Sequence, residues 1–136
     1  MAGHLEGKSI AITGAGSGIG KAIALACASE GANIVVADYG VGLAGEDPSS
    51  EVAEETVAEI EASGGRAVAV AGDVAQMQTG ADIVAAAVDT WGTIDGIVCV
   101  AGILRERMLF NMSEEDWDAV VAVHLKGHFT LYRHAM

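Results

Sequence analysis

Short apolar runs alternate with longer amphipathic stretches along nearly the whole chain. Lys8–Thr13, Asn33–Asp38, Arg66–Ala71 and Ile94–Val100 are rich in valine, isoleucine and alanine, and each is short enough to be one strand. Between them, Gly18–Glu30 and two stretches, from about Asp47 to Ala62 and from about Gln76 to Trp91, repeat apolar side chains with the helical period. Gly31, Ser63-Gly64-Gly65 and Gly92 stand where those helices should stop. Asp47 is placed to cap the second helix with Pro48 at its first position, and Gly80 predicts a break or a late start in the third. Ser113-Glu114-Glu115-Asp116 opens a last helix as a capping box, which the pattern carries unbroken to the end of the chain.

Strands separated by helices predict an α/β domain with a parallel sheet, because parallel neighbours need a crossover that a helix supplies. The expected architecture is a Rossmann-type doubly wound sheet with strand order 3-2-1-4. Its ligand would lie above the carboxyl ends near the first strand. Ile94–Val100 is almost wholly apolar, as a strand covered on both faces should be. Residues 1–136 read as one dinucleotide-binding domain.

The candidate chemistry sits on the first strand–helix junction. Thr13-Gly14-Ala15-Gly16-Ser17-Gly18-Ile19-Gly20 follows the first strand and leads into the first helix. Glycines permit a tight turn and let backbone N–H groups approach phosphate oxygens, and the helix adds the positive end of its dipole. Asp38 ends the second strand, where a carboxylate accepts the hydroxyls of an adenosine ribose and repels a 2′-phosphate. Strand, turn, helix and acid together predict an NAD site, with Gly14, Ser17, Gly18, Ile19 and Gly20 cradling the pyrophosphate and Asp38 holding the ribose.

Composition narrows the partners. The net charge is −12 and no basic stripe exists, which argues against nucleic acid and anionic membrane surfaces. Hydrophobic residues make up 51% of the chain, but no uninterrupted apolar stretch reaches spanning length. The two cysteines, Cys27 and Cys99, make no disulfide framework, and the amino terminus lacks a signal layout, so the expected location is the cytosol.

These residues resemble the amino-terminal part of the short-chain dehydrogenase/reductase family. Thr13 to Gly20 fits the family's TGxxxGIG turn, Asp73-Val74 its acid-plus-aliphatic step after the third strand, and Ala101-Gly102 the second half of its NNAG segment. Within the family the chain is most similar to the (3R)-hydroxyacyl-CoA dehydrogenase type of multifunctional β-oxidation enzymes and to bacterial relatives. That similarity rests on Ala37-Asp38-Tyr39-Gly40, on Gly102 to Met108 and on Val123-His124-Leu125-Lys126-Gly127. The resemblance implies hydride transfer between a nicotinamide and a secondary alcohol or ketone. It also implies that Asp73 and Val74 flank the adenine and that Ala101 and Gly102 lie under the nicotinamide-side ribose. Cys99 and Val100 stand where the family has asparagines, and His124 stands at the centre of a helix segment where it usually has another, in a position to relay a proton. The family's catalytic Ser and its Tyr-x-x-x-Lys do not occur here: Tyr39 is followed four residues later by Leu43, and Tyr132 by Met136. No catalytic residue is therefore assigned within the chain.

Two readings stay open. The chain is the incomplete dinucleotide-binding part of an oxidoreductase whose remainder carries catalysis, or it is a nucleotide-binding or assembly module without turnover. Leu131 to Met136 stops inside a helical pattern without a glycine or asparagine cap, which favours the first. His124 and His128 have the spacing of a zinc pair but lack the HExxH glutamate, so no metal is expected. Cys99 reads as a small buried hydrophobe, and Arg105 and Arg107 as surface partners of Glu106 or Glu114 unless they face phosphates. Trp117, Val121, Leu125 and Tyr132 make one apolar stripe of the last helix, and Val120, Val123 and Leu131 another. A helix apolar on two sides needs two covers. With the family's pairing of this helix across a two-fold axis, the pattern predicts a homo-oligomer through residues of about 113–135.

Overall fold

The computed structural model describes residues 3–40 and 49–136. Four parallel strands, β1 (Ser9–Thr13), β2 (Asn33–Asp38), β3 (Arg66–Ala71) and β4 (Gly96–Cys99), form one sheet in the order β3-β2-β1-β4. The sequence pattern and the structure agree on fold class and strand order. Helices α1 (Gly18–Ser29), α2 (Glu51–Ala62) and α3 (Met77–Trp91) follow the first three strands. The proposed Asp47–Pro48 cap lies outside the described residues.

The strands alternate two kinds of side chain. On one face Ile10, Ile12, Ile34 and Val36 pack with Ala24 of α1 and with Ala53 and Ile60 of α2. On the other, Ala11, Val35 and Ala37 meet Ile83 and Ala87 of α3 and Leu131 near the carboxyl end. Both faces of β1 and β2 are therefore dry, which a parallel sheet requires. β1 and β2 pair in register from Ser9↔Asn33 to Thr13↔Ala37, so their carboxyl ends finish level.

Three details depart from the sequence pattern. β4 is shorter than Ile94–Val100 and half-buried, because among the described strands it pairs only with β1. Its start is replaced by a side-chain clasp, in which Ser9 N–H donates to Asp95 Oδ2 at 2.8 Å. Helix α3 runs through Gly80 without a break, since a Cβ there would meet the Thr130 carbonyl of the last helix. Glycine at this position marks close helix packing, not a hinge. The last helix is not continuous. It divides into α4 (Glu114–Val121), a π-helical turn (Ala122–Lys126) and α5 (Gly127–Ala135). The wider turn reconciles two anchors, His124 on the segment after β4 and Thr130, whose Oγ1 donates to the Val74 carbonyl at 2.6 Å. Ser113 does cap α4, accepting the Asp116 N–H at 3.0 Å. No helix among the described residues is long and apolar enough to cross a membrane.

Ile12 is fully buried and Leu109 is 81% exposed, which sets a contrast between two truncations. Ile12→Val should cost about 1 kcal/mol in urea unfolding, and Leu109→Ala should stay within ~0.5 kcal/mol of wild type.

Candidate cofactor cleft

The level carboxyl ends of β1 and β2 and the segment after β4 enclose a cleft of about 610 Å³. All ten residues singled out in the sequence line it: Gly14, Ser17, Gly18, Ile19 and Gly20 from the turn, Asp38 from β2, Asp73 and Val74 after β3, and Ala101 and Gly102 after β4. Sequence reasoning missed Tyr39 and Ile103, and also Ala122 and Val123 of the π-helical turn, while Arg105, read as a surface partner unless it faces phosphates, lines the cleft too. Nothing in the local pattern of the last helix announces that its middle turn folds back over the cleft.

The glycine turn is packed to the limit. A Cβ on Gly20 would collide with the Gly14 carbonyl, and one on Gly14 would stand 2.8 Å from the Ala101 nitrogen. These approaches bring α1 and the segment after β4 close to the end of β1. Ser17 precedes α1 in extended conformation and makes no side-chain cap. The first N–H groups of α1 are left facing the cleft, with the helix dipole behind them. That cradle fits a pyrophosphate.

Asp38 links the turn to β2. Its Oδ2 accepts the Gly16 N–H at 2.8 Å and its Oδ1 the Gly40 N–H at 2.7 Å. Each carboxylate oxygen has about two acceptor sites, so both oxygens keep capacity toward the cleft while their position is fixed. Asp73 is similarly held, with Oδ1 accepting the Ala75 N–H at 2.9 Å. Thr13, at the end of β1, is a structural residue that the motif alone did not reveal. Its Oγ1 accepts the N–H groups of Val100 and Ala101 at 3.1 and 3.2 Å. Val100 thus contributes main chain at the place where the resembled family has an asparagine.

The remaining candidates resolve as follows. Arg105 and Arg107 both approach Asp116, with Nε–O distances of 3.9 and 3.8 Å, in place of the expected Glu106 or Glu114. The capping turn of α4 puts Asp116 between them. His124 Nε2 lies 3.2 Å from the Ile103 N–H nitrogen and 3.0 Å from its carbonyl oxygen. His128 Nδ1 donates to the His124 carbonyl at 2.6 Å.

The family model described as "short chain dehydrogenase" matches residues 8–136. Hydroxyacyl-CoA dehydrogenase ChsB1 of Mycobacterium tuberculosis is 49% identical over 131 residues, covering 96% of this chain and 40% of that protein. Peroxisomal multifunctional enzyme type 2 of Mus musculus is 43% identical over 132 residues, covering 97% of this chain and 18% of that protein. A crystal structure of a short chain dehydrogenase from Mycobacterium avium superposes with a TM-score of 0.90 at 52% identity, covering 98% of this chain and 46% of that one. The chain therefore spans less than half the length of these relatives.

Cys99 ends β4 beside the cleft, and Cys27 lies in α1. Both are half-buried, and burial, which disfavours the thiolate, raises each thiol above its ordinary value of 9.0. Iodoacetamide at pH 8 should modify the native chain more slowly than the urea-unfolded chain. The sign for stability follows: the folded state favours the protonated thiols, so stability should fall as pH climbs past the ordinary thiol value. Alkylation of the native chain at the unfolded rate would show that these thiols are not shielded.

Proposed function

This chain belongs to the short-chain dehydrogenase family, and from that premise we propose that it forms the NAD-binding part of an oxidoreductase acting on a secondary alcohol or ketone. Asp38 carries the reading. It lines the cleft at the end of β2, and its two oxygens are oriented by Gly16 and Gly40. In that place it accepts the hydroxyls of the adenosine ribose and opposes a 2′-phosphate. The amides at the start of α1 take the pyrophosphate. Asp73 and Val74 flank the adenine beside Tyr39, and Ala101 and Gly102 lie under the nicotinamide-side ribose. When bound, the dinucleotide supplies the hydride acceptor or donor.

The relatives named for hydroxyacyl-CoA and for multifunctional peroxisomal activity support a 3-hydroxyacyl-CoA thioester as substrate. The chain contains no Tyr-x-x-x-Lys pair, so we assign it cofactor binding and leave proton transfer to residues outside it. The unpaired Cys27 and Cys99 fit a reducing compartment, and the reading places the protein in the cytosol.

Assembly follows from the carboxyl-terminal helices. Leu131 is fully buried, while Trp117, Leu125, Phe129 and Tyr132 are between 48% and 69% exposed. Leu131 therefore packs under the sheet and α3, Val120, Val121 and Val123 are half-buried, and the face that carries Trp117, Leu125, Phe129 and Tyr132 is open. A second copy related by two-fold symmetry would cover it with the same residues.

Two measurements test these proposals. Calorimetric titration should give NAD⁺ a dissociation constant at least about tenfold below that of NADP⁺, or ~1.4 kcal/mol, and Asp38→Ala should narrow the gap. Equal or tighter NADP⁺ binding would sink the cofactor assignment. Light scattering at micromolar concentration should show dimers or larger species that Leu125→Glu converts to monomers. A monomeric wild type would show that this face is not an interface between copies.

A further inference from the structure

We propose that Thr130 is a positioning residue for base recognition: through the buried Val74–Ala75 peptide it aims the Asp73 carboxylate, and so makes the cleft prefer a purine with an amino group over one with an oxo group. The inference rests on the cofactor reading above and deepens it, since the glycine turn and Asp38 are assigned to the pyrophosphate and the ribose.

Asp73 to Gln76 form a tight turn after β3, in which the Gln76 N–H donates to the Asp73 carbonyl at 3.0 Å. Val74 and Ala75, at its centre, are 8% and 6% exposed. The peptide between them is bound on both sides. Its N–H donates to Asp73 Oδ1 at 2.9 Å, and its carbonyl accepts the Thr130 hydroxyl at 2.6 Å. Hydroxyl, peptide and carboxylate thus form one hydrogen-bonded chain, in which each bond polarises the next.

A helical threonine commonly turns its hydroxyl back on its own helix. The Gly127 carbonyl is there to take it, but at 3.1 Å against 2.6 Å for Val74. Packing holds α5 close enough for the shorter bond. A Cβ on Gly127 would stand 2.8 Å from Val74 Cγ2, and one on Gly80 would meet the Thr130 carbonyl, so two glycines let α5 press onto the turn and onto α3. His134 Nδ1 donates to the same Thr130 carbonyl at 2.7 Å. Thr130 itself is fully buried. Without its hydroxyl the Val74 carbonyl would stand unpaired in a dry place. A rotation of the peptide toward water would then take the Ala75 N–H away from Asp73. A carboxylate accepts hydrogen bonds and cannot donate them, and the turn occupies only part of its capacity. Fixed at the cleft wall, Asp73 attracts a 6-amino group and repels a 6-oxo oxygen. Released from the turn, it rotates and the discrimination is lost.

Base selectivity is the test, because a purely structural role would weaken all nucleotides alike. AMP and IMP, which carry an amino and an oxo group at the same purine carbon, are titrated calorimetrically into the wild-type chain and into Thr130→Val, Thr130→Ser, Thr130→Ala and Asp73→Asn, with melting temperatures recorded for each. The wild type should bind AMP at least about tenfold more tightly than IMP, the scale of one hydrogen bond to a charged group. Thr130→Val keeps the shape and loses the hydroxyl. It should reduce that ratio to about threefold or less and leave IMP within about twofold. Thr130→Ser should restore the ratio, and Asp73→Asn should reduce it as the valine does. Equal losses for both nucleotides, an unchanged ratio in Thr130→Val or Asp73→Asn, or a serine variant as unselective as valine would overturn the inference. If Thr130→Val fails to fold, Thr130→Ala decides in its place. A wild-type chain that binds AMP and IMP equally would overturn the inference and leave the cofactor reading standing. One that binds neither would overturn the cofactor reading itself.

Discussion

The carboxyl end of β1 is the point on which the cleft depends. Thr13 Oγ1 takes the two amides that follow β4, and Gly14 has no side chain to hold that segment away. Gly20 then lets α1 start directly over the Gly14 carbonyl. Three chain segments converge within van der Waals distance, with backbone polar groups satisfied by one hydroxyl. A larger residue at Gly14 or Gly20 would separate them, and the amides of α1 would no longer share a floor with Ala101 and Gly102. The cost of crowding at such a point is steric and appears as a shifted helix, not as a single lost bond.

The convergence is possible because the sheet beneath is rigid. Isoleucine and valine fill one face of β1 and β2, and smaller side chains on the other face let α3 come close. Residues buried on both faces cannot slip in register without moving every side chain to the wrong side. The strand ends are therefore placed to within a fraction of a residue, and the loops above them inherit that placement. Elements with fewer constraints are looser in their assignment. β4 has one neighbour among the described strands and is shorter than its apolar run.

Most of this was legible in the sequence, for reasons that particular residues illustrate. The short apolar runs locate β1, β2 and β3, and the helical period locates α1, because each has at least one face to bury. Gly14, Ser17, Gly18, Ile19, Gly20, Asp38, Asp73, Val74, Ala101 and Gly102 line one cleft because the topology brings strand ends together. What stayed hidden depends on contacts between distant segments. Thr13 reads as the last residue of a strand until Val100 and Ala101 arrive beside it. Gly80 reads as a helix break until Thr130 packs onto it. The π-helical turn has no local signature, since it arises where the anchors at His124 and Thr130 fall out of step with an ideal helix. Arg105 and Arg107 have several acidic neighbours in sequence, and only the capping turn selects Asp116.

An electrostatic consequence follows from the composition. The protein carries a net charge of −12, yet the ligand we propose for its cleft carries a pyrophosphate. Among the described residues that line the cleft, Arg105 is the one cation, and it already approaches Asp116. Among the described residues, side-chain charge is therefore not what would attract a pyrophosphate. The work falls to partial charges fixed in place, the first amides of α1 and the dipole behind them, which act within roughly the first turn of the helix. At physiological ionic strength the Debye length is about 8 Å, so the distant surface carboxylates are largely screened while the amides in contact are not. An acidic surface and an anion site are thus compatible when recognition is made by backbone at short range. That is also why, in this reading, the geometry of the glycine turn matters more to the pyrophosphate than any cation near it.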